Sequence, residues 1–185
     1  MKKFALLLSL FLCLPLAQGF GQVTGSVVDE QFNINANVLT ALTITYQSDL
    51  EFGDVFQNTT KSVTPAGVPS YPATGATPSA AKMRIDGMPD REVIVWFEDH
   101  EVITFGTNNL DVDYTAADAV FVAGTGLPGT GVAWNPTASA TTSQDLDVSG
   151  VATIYLGGTI APVSGTHAAG AYTAAASLYV GYTGN

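Results

Sequence analysis

The sequence is short of charged residues, cysteine and histidine, and each shortage excludes a class of protein. Asp, Glu, Lys and Arg make up 12% of the 185 residues, about half the usual share. Cys13 is the only cysteine, so disulfides cannot hold the rest of the chain together. The two histidines, His100 and His167, leave almost no material for a zinc site or a nucleophilic triad. We therefore predict a protein that is not an enzyme and needs no cofactor.

The N-terminus has the pattern of a secretory signal peptide. Lys2 and Lys3 precede an apolar run from Phe4 to Ala17, which small residues follow. The run is shorter than the roughly 20 residues that a membrane-spanning helix needs. We expect cleavage after Gly19, with Gly21 as the second choice, and an exported mature chain without cysteine.

The mature chain is expected to be strongly acidic. Without Lys2 and Lys3, four of the six basic residues remain against 16 acidic ones, so the net charge falls to −12. Nucleic acid and anionic membranes are poor partners for such a surface. Gly, Thr, Ala and Ser replace the missing charged residues, which favours a secreted β-structure that packs against copies of itself.

Apolar residues recur at every second position after the signal, and Gly, Pro, Asn or Asp interrupts the pattern every few residues. A two-residue period is typical of β-strands. We predict an all-β chain of around ten short strands in a sandwich of two antiparallel sheets. The segment Glu92–Phe97 is apolar on both faces and is predicted to be a central strand, with Val102–Phe105 as its hairpin partner.

The clearest strand pattern lies at the end of the sequence. One parity carries apolar or small residues without a break: Tyr172, Ala174, Ala176, Leu178, Val180 and Tyr182. This pattern predicts a strand with one face in a core and with no later segment to cover its outer edge. Because unpaired edges accept further strands, we predict that these six residues form an acceptor edge.

Two N-terminal segments could supply the added strand, which must be extended and apolar on one parity. Val23–Val28 follows the signal directly but alternates poorly, whereas Phe32–Val38 alternates cleanly and could instead be the first strand of the domain. We favour residues 22–31 as the extension and predict five donor residues: Val23, Val27, Val28, Phe32 and Ile34. The predicted boundaries are a signal peptide at 1–19, an extension at 20–31 and a sandwich domain at 32–185. The alternative is a frayed tail before a complete sandwich.

Two further features could bind a ligand. Trp134 follows a Gly-rich stretch and could stack on a sugar ring, although a loop aromatic more often covers the edge of a core. Asp111 with Asp113 and Asp145 with Asp147 are paired carboxylates, which makes them weak candidates for calcium. The same alternation is needed simply to keep the opposite face apolar, so we assign no metal ligand.

Three segments carry a family resemblance: NINANVLTALTITYQSDLEFGDV from Asn33, LDVSGVATIYLGGTI from Leu146 and AAGAYTAAASLYVGY from Ala168. They resemble a bacterial secreted domain family of unknown function, related to common-pilus-type and spore-coat-U-like subunits of chaperone–usher fimbriae. The Leu50–Gly53 piece, and Gly157-Gly158 followed by Gly170 and Tyr172, carry most of the resemblance.

The resemblance implies an incomplete immunoglobulin-like, pilin-type sandwich. A periplasmic chaperone would fill its groove first, and the N-terminal extension of the next subunit would replace the chaperone. It also implies an outer-membrane usher and gives Tyr182 and Gly170 the places of a terminal tyrosine and an upstream glycine. We therefore predict a structural subunit of an extracellular, adhesive fimbria assembled by donor-strand exchange. The alternative is a self-contained secreted sandwich that binds carbohydrate or adheres to surfaces.

Overall fold

The structure, a computed structural model, describes residues 33, 36, 38–71, 75–98, 101–137 and 141–184. The chain divides into two units, Met1–Asn37 and Val38–Asn185, and the strands of the described residues all belong to the second. The predicted signal peptide and all five predicted donor residues, Val23, Val27, Val28, Phe32 and Ile34, lie outside the described residues.

The second unit is all-β, as predicted. Its strands are β1 (Thr43–Ser48), β2 (Lys61–Val63), β3 (Ala81–Asp86), β4 (Glu92–Glu98), β5 (Val102–Phe105), β6 (Asn108–Asp113), β7 (Ala119–Ala123), β8 (Val132–Trp134), β9 (Thr141–Asp145), β10 (Val151–Leu156), β11 (Gly158–Ile160) and β12 (Ser177–Tyr182). Among the described residues, the one helical segment is a 3₁₀ turn at Pro128–Thr130. The ladders between these strands are antiparallel.

The strands form three sheets. Sheet I has five strands in the order β1-β3-β10-β7-β8, and sheet II has three in the order β12-β4-β9. Sheet III has four in the order β2-β11-β6-β5. Sheets I and II face each other across the main core, to which Ile85 and Ile154 contribute from sheet I and Val93 and Val95 from sheet II. This arrangement confirms the predicted antiparallel β-sandwich.

A second, smaller core lies under sheet III. Val63, Leu110, Val112 and Ile160 are its buried strand residues. Tyr114, which directly follows β6, packs against both cores. The strands of sheet III thus have their own apolar face, so the fold is larger than a simple pair of sheets.

The prediction that Glu92–Phe97 forms a central strand is confirmed, but the prediction that Val102–Phe105 is its hairpin partner is wrong. β4 is paired on one side with β12 and on the other with β9, which makes it the central strand of sheet II. Because both its edges are occupied, β5 cannot return along it. β5 pairs with β6 instead, with Val102 opposite Asp111.

The closing strand is shorter than the eleven-residue alternation predicts. β12 begins at Ser177, while Thr173 exchanges two backbone hydrogen bonds with Thr104 of β5 at 3.0 and 3.1 Å. Of the six predicted acceptor residues, Leu178, Val180 and Tyr182 lie in β12, whereas Tyr172, Ala174 and Ala176 precede it. The reason is that the alternation spans two sheets. The segment before β12 covers the edge of sheet III, and its exposed alanines have little surface to bury.

The first strand is also shorter than predicted. The sequence indicates one long or bent strand from Phe32 through Tyr46, whereas β1 begins at Thr43. Residues 38–42, which we call the exit segment, contain no strand, turn or bend. The chain therefore reaches β1 without reversing its direction inside this segment.

Candidate functional site

β1 and β12 are edge strands on the same side of the sandwich. At the opposite edge of sheet II, β9 approaches β7 of sheet I, which leaves β12 on the side of the sandwich where sheet I ends with β1. Tyr182, the last residue of β12, bears this out. Its hydroxyl donates to the Thr40 carbonyl oxygen at 2.8 Å, before β1, and accepts from the Met88 backbone N–H at 2.6 Å, after β3.

β12 turns one parity of side chains toward the main core. Leu178 stands opposite Phe97, and Val180 stands opposite Val95; directly opposed residues of an antiparallel pair share a face. Val95 is 0% exposed and Phe97 is also buried, whereas Leu178 and Val180 are only partly buried. The inner surface is therefore covered at β4 and partly uncovered one strand further out.

β1 shows the same asymmetry more strongly. Ile44 stands opposite Ile85, and Tyr46 stands opposite Met83, so both side chains lie on the inner face of sheet I. Ile85 is buried, but Ile44 is 42% and Tyr46 62% exposed. Core-facing side chains of this kind are ordinarily covered by the opposing sheet.

We call the surface formed by Ile44, Tyr46, Leu178 and Val180 the open side. Among the described residues, no strand pairs with the outer edge of β1 or of β12. The outer edges of sheet III differ, because a bridge from Pro69 to Val63 covers β2 and the Thr173 bridge covers β5. The open side thus combines unpaired backbone groups with an apolar row, which are the two features that an added strand requires.

A compact junction lies at the end of the open side where β12 stops. A Cβ atom placed on Gly87 would lie 2.6 Å from Leu42 Cδ2, 2.8 Å from Tyr182 Oη and 2.9 Å from Leu146 Cδ1. Only glycine fits at this position without displacing its neighbours. Beyond the junction the exit segment leaves the packed surface, and Val38 is 88% exposed.

Trp134 does not form an exposed platform for a sugar. It is the last residue of β8 rather than a loop residue, and it is 8% exposed. Its ring stacks on Phe97 with the centroids 6.2 Å apart, and its Nε1 is buried without a hydrogen-bond partner in the described part of the chain. The indole therefore belongs to the main core, where no face remains for stacking on a ligand.

The two aspartate pairs lie in different settings. Asp111 and Asp113 are exposed on β6, opposite in direction to the buried Leu110 and Val112. Asp145 ends β9 and is exposed. These three candidates therefore keep the outward alternation of their strands.

Asp147 lies in the turn after β9 and has a local role. Its carboxylate accepts hydrogen bonds from the Ser149 and Val151 backbone N–H groups at 2.9 and 2.7 Å. The predicted alternation stops here, because Val148 is exposed. Within the described ranges, no group of three or more His, Cys, Asp or Glu residues could hold a metal ion.

The sequence patterns missed Ile44 and Tyr46 as parts of the site. Their alternation reads as ordinary core-facing strand, and it is the same for a covered and an uncovered inner face. The patterns also gave no sign that Trp96 and Tyr179 form a stacked pair at 5.3 Å on the outer face of sheet II. Such a cross-strand pair stabilises the β4–β12 ladder and leaves the inner face unchanged.

The fold and the site define a class: an all-β antiparallel sandwich with one open side between two edge strands. Residues 42–182 match the family described as "Domain of unknown function (DUF4402)", and the chain belongs to this family. The matched region starts at the junction and ends with β12, so it contains both strands of the open side. No curated protein is significantly similar to the chain. In the part of the chain that the structure describes, no helix is long and apolar enough to cross a membrane.

Proposed function

We propose that this protein is a non-enzymatic structural subunit of an extracellular, fimbria-like filament. The N-terminal extension of a neighbouring copy fills the open side, as in a pilin-type, immunoglobulin-like sandwich. The contact is head to tail, so it does not close on itself and each added subunit presents a new open side.

The observation that carries this proposal is the incomplete cover of the inner face between β1 and β12. Four core-facing side chains, Ile44, Tyr46, Leu178 and Val180, remain in partial contact with solvent. Full burial of a large apolar side chain contributes about 1.5–3 kcal/mol. Since these side chains are already partly buried, a covering strand would gain on the order of 1 kcal/mol from each. The four together favour an added strand, and the unpaired edges supply its backbone partners.

The chain offers its own candidate for that strand. The exit segment leaves the junction without a turn or bend. The apolar alternation from Phe32 to Val38 ends at its first residue, and the favoured extension, residues 22–31, precedes that alternation. Lys2, Lys3 and the following apolar run supply the export signal that an extracellular filament requires. An exported subunit with an open side needs protection before assembly, which is the task of a periplasmic chaperone, and an outer-membrane usher would then order the subunits.

The proposal is tested by placing the same charges on one parity of the donor or on the other. The variant Phe32→Asp/Ile34→Asp places carboxylates on the apolar parity, and the matched control Asn33→Asp/Asn35→Asp adds the same charge on the other parity. Sedimentation and negative-stain electron microscopy of the purified mature chain, and of material sheared from the producing cells, measure filament formation.

We expect filaments from the wild type and from the asparagine control, and loss of filaments from the Phe32/Ile34 variant. The proposal fails if the wild-type chain stays monomeric and sheared material contains no filament with this chain. It also fails if both variants form filaments to the same extent, because the apolar parity would then have no role.

A further inference from the structure

We infer that Tyr182 is a latch that keeps the N-terminal extension out of the open side of its own subunit, so that the extension is left for a second copy. The inference rests on the proposed function and deepens it by naming a residue that decides between folding back and exchange. Its basis is the geometry of the junction.

Strand directions show where the extension leaves the domain. β1 starts at the junction, because its first residue, Thr43, pairs with Asp86 beside Gly87. β12 ends there, because its last residue, Tyr182, contacts Met88 and Thr40. The open side extends from the junction in the direction in which β1 runs. The exit segment precedes β1 in the chain and ends at the junction, where β1 starts.

To fill its own open side, the extension must reverse its direction upstream of β1. The shortest route is a tight turn within the exit segment, as in a β-hairpin. The structure does not take that route: residues 38–42 contain no turn or bend, and the Thr40 carbonyl, which a turn could use, accepts a hydrogen bond from Tyr182 Oη.

A reversal further upstream leaves too little of the donor. Each extended residue advances about 3.3 Å, so the five residues of the exit segment span roughly 16 Å that the returning chain would have to cover again. The return would use residues 32–37, which include the predicted donor residues Phe32 and Ile34 and most of the clean apolar alternation. Only the poorly alternating segment Val23–Val28 would then be left to enter the open side.

The hydroxyl group of Tyr182 is the part of the side chain that acts as the latch. It bonds to the exit segment and to the turn after β3 at once, so it joins three pieces of chain. Gly87 permits this close approach, because any Cβ there would meet Leu42 and the Tyr182 hydroxyl. Tyr182→Phe keeps the ring and removes both hydrogen bonds, which frees Thr40 for a turn.

The test uses the absence of cysteine from the mature sequence. Ile34→Cys and Val180→Cys are introduced into the mature chain, and a short bismaleimide joins the two thiols; its reach tolerates a small change of register. A donor in a neighbouring copy gives a ladder of cross-linked chains on a denaturing gel, whereas a folded-back donor gives one internally linked chain.

In this double-cysteine background we expect a ladder. Adding Tyr182→Phe should raise the ratio of internal to intermolecular products roughly tenfold, as expected for the loss of two hydrogen bonds. Gly87→Ala should shift the ratio in the same direction by displacing the junction. Tyr172→Phe is the matched control, because it removes a hydroxyl that bonds the Ala168 carbonyl at 2.9 Å, and it should leave the ratio unchanged.

The two ideas fail in different ways. If the starting background gives internally linked monomers or no product, the proposed function is refuted and the latch with it. If that background gives a ladder and Tyr182→Phe matches Tyr172→Phe, the latch is refuted while exchange stands. Cooperative urea unfolding of each variant separates a changed partition from a failure to fold.

Discussion

Val180 and Val95 allow the open side to be measured in a single chain. They are the same residue type, stand directly opposite each other on adjacent strands and turn to the same face. Val95 is 0% exposed, whereas Val180 is only partly buried. Replacing each with Ala therefore removes the same atoms from a covered and from an uncovered part of one surface.

The expected magnitudes follow from burial. Val→Ala removes two methyl-sized groups, each worth about 0.8 kcal/mol when fully buried, and a cavity adds to the cost at a closed site. We expect Val95→Ala to lower the free energy of unfolding by about 2–3 kcal/mol. Val180→Ala should lower it by only about 1 kcal/mol, because water already reaches part of its side chain.

The assay is urea unfolding of the monomeric mature chain at low protein concentration. With an m-value of roughly 1–3 kcal/mol per molar urea, a difference of about 1–2 kcal/mol separates the two midpoints by roughly 0.5–1 M. The loss of β-propensity is similar in the two variants. The difference between the midpoints therefore reports the missing cover.

The reasoning predicts a change on assembly as well. When a neighbour's extension fills the open side, Val180→Ala should cost nearly as much as Val95→Ala. Equal costs in the monomer would refute the reasoning, because they would mean that the chain already covers Val180 by itself. Unequal m-values would indicate a change in the unfolded or native ensemble, and Val93→Ala, at the other buried valine of β4, then serves as the reference.

Three further predictions concern the core. Trp134→Ala should destabilise the fold by about 3–5 kcal/mol and Trp96→Ala by clearly less, since Trp96 is only partly buried; equal shifts in thermal unfolding would contradict the placement of Trp134 in the core. Gly150→Ala should cost about 1–3 kcal/mol or more, because Gly150 has φ +75° and a Cβ there would lie 2.2 Å from the Gly87 carbonyl oxygen; an unchanged melting temperature would argue against this turn. Burial and two nearby carboxylates raise the pKa of Tyr114 above its ordinary value of 10.0, so the unfolded chain loses the phenol proton first. Stability should then fall by up to about 1.4 kcal/mol per pH unit above pH 10, and Tyr114→Phe should remove that part of the slope.

The sequence predicts most of the architecture because a period of two residues is a direct record of a half-buried strand. The central position of Glu92–Phe97 follows from apolar residues on both faces. No comparable sequence pattern shows which strand is the pairing partner of another. Val102–Phe105 is as near to β4 in the chain as to β6, and the choice between them depends on which edges β12 and β9 occupy.

The length of a strand is the other quantity that apolar alternation does not determine. Tyr172 and Tyr182 share a parity, yet the first packs against Phe105 beside sheet III and the second ends β12. Alternation shows which side chains turn inward, whereas a hydrogen-bonded strand ladder also requires a neighbouring strand whose backbone lies beside the segment. A segment that crosses from one sheet to another keeps its alternation and loses its ladder, and that is what happens between Thr173 and Ser177.

The open side has one component that the sequence reveals and one that it does not. The apolar parity of Leu178, Val180 and Tyr182 predicts the inner face of β12. Ile44 and Ile85 have the same residue type and the same face, and only the three-dimensional arrangement shows that one is covered and the other is not. The site arises because sheet I has five strands and sheet II three, so the shorter sheet cannot cover β1.

The position of the family match separates the two halves of the proposed contact. Residues 42–182 contain the junction, both edge strands and all four residues of the open side, whereas the proposed donor lies before residue 42. The proposed acceptor is thus part of the shared domain, and the proposed donor is part of what precedes it. In the proposed contact, the acceptor constrains only the parity and bulk of the donor, because an added strand is held by backbone pairing and by alternate side chains. The latch adds the constraint that the acceptor alone does not provide: it determines whose extension occupies the open side.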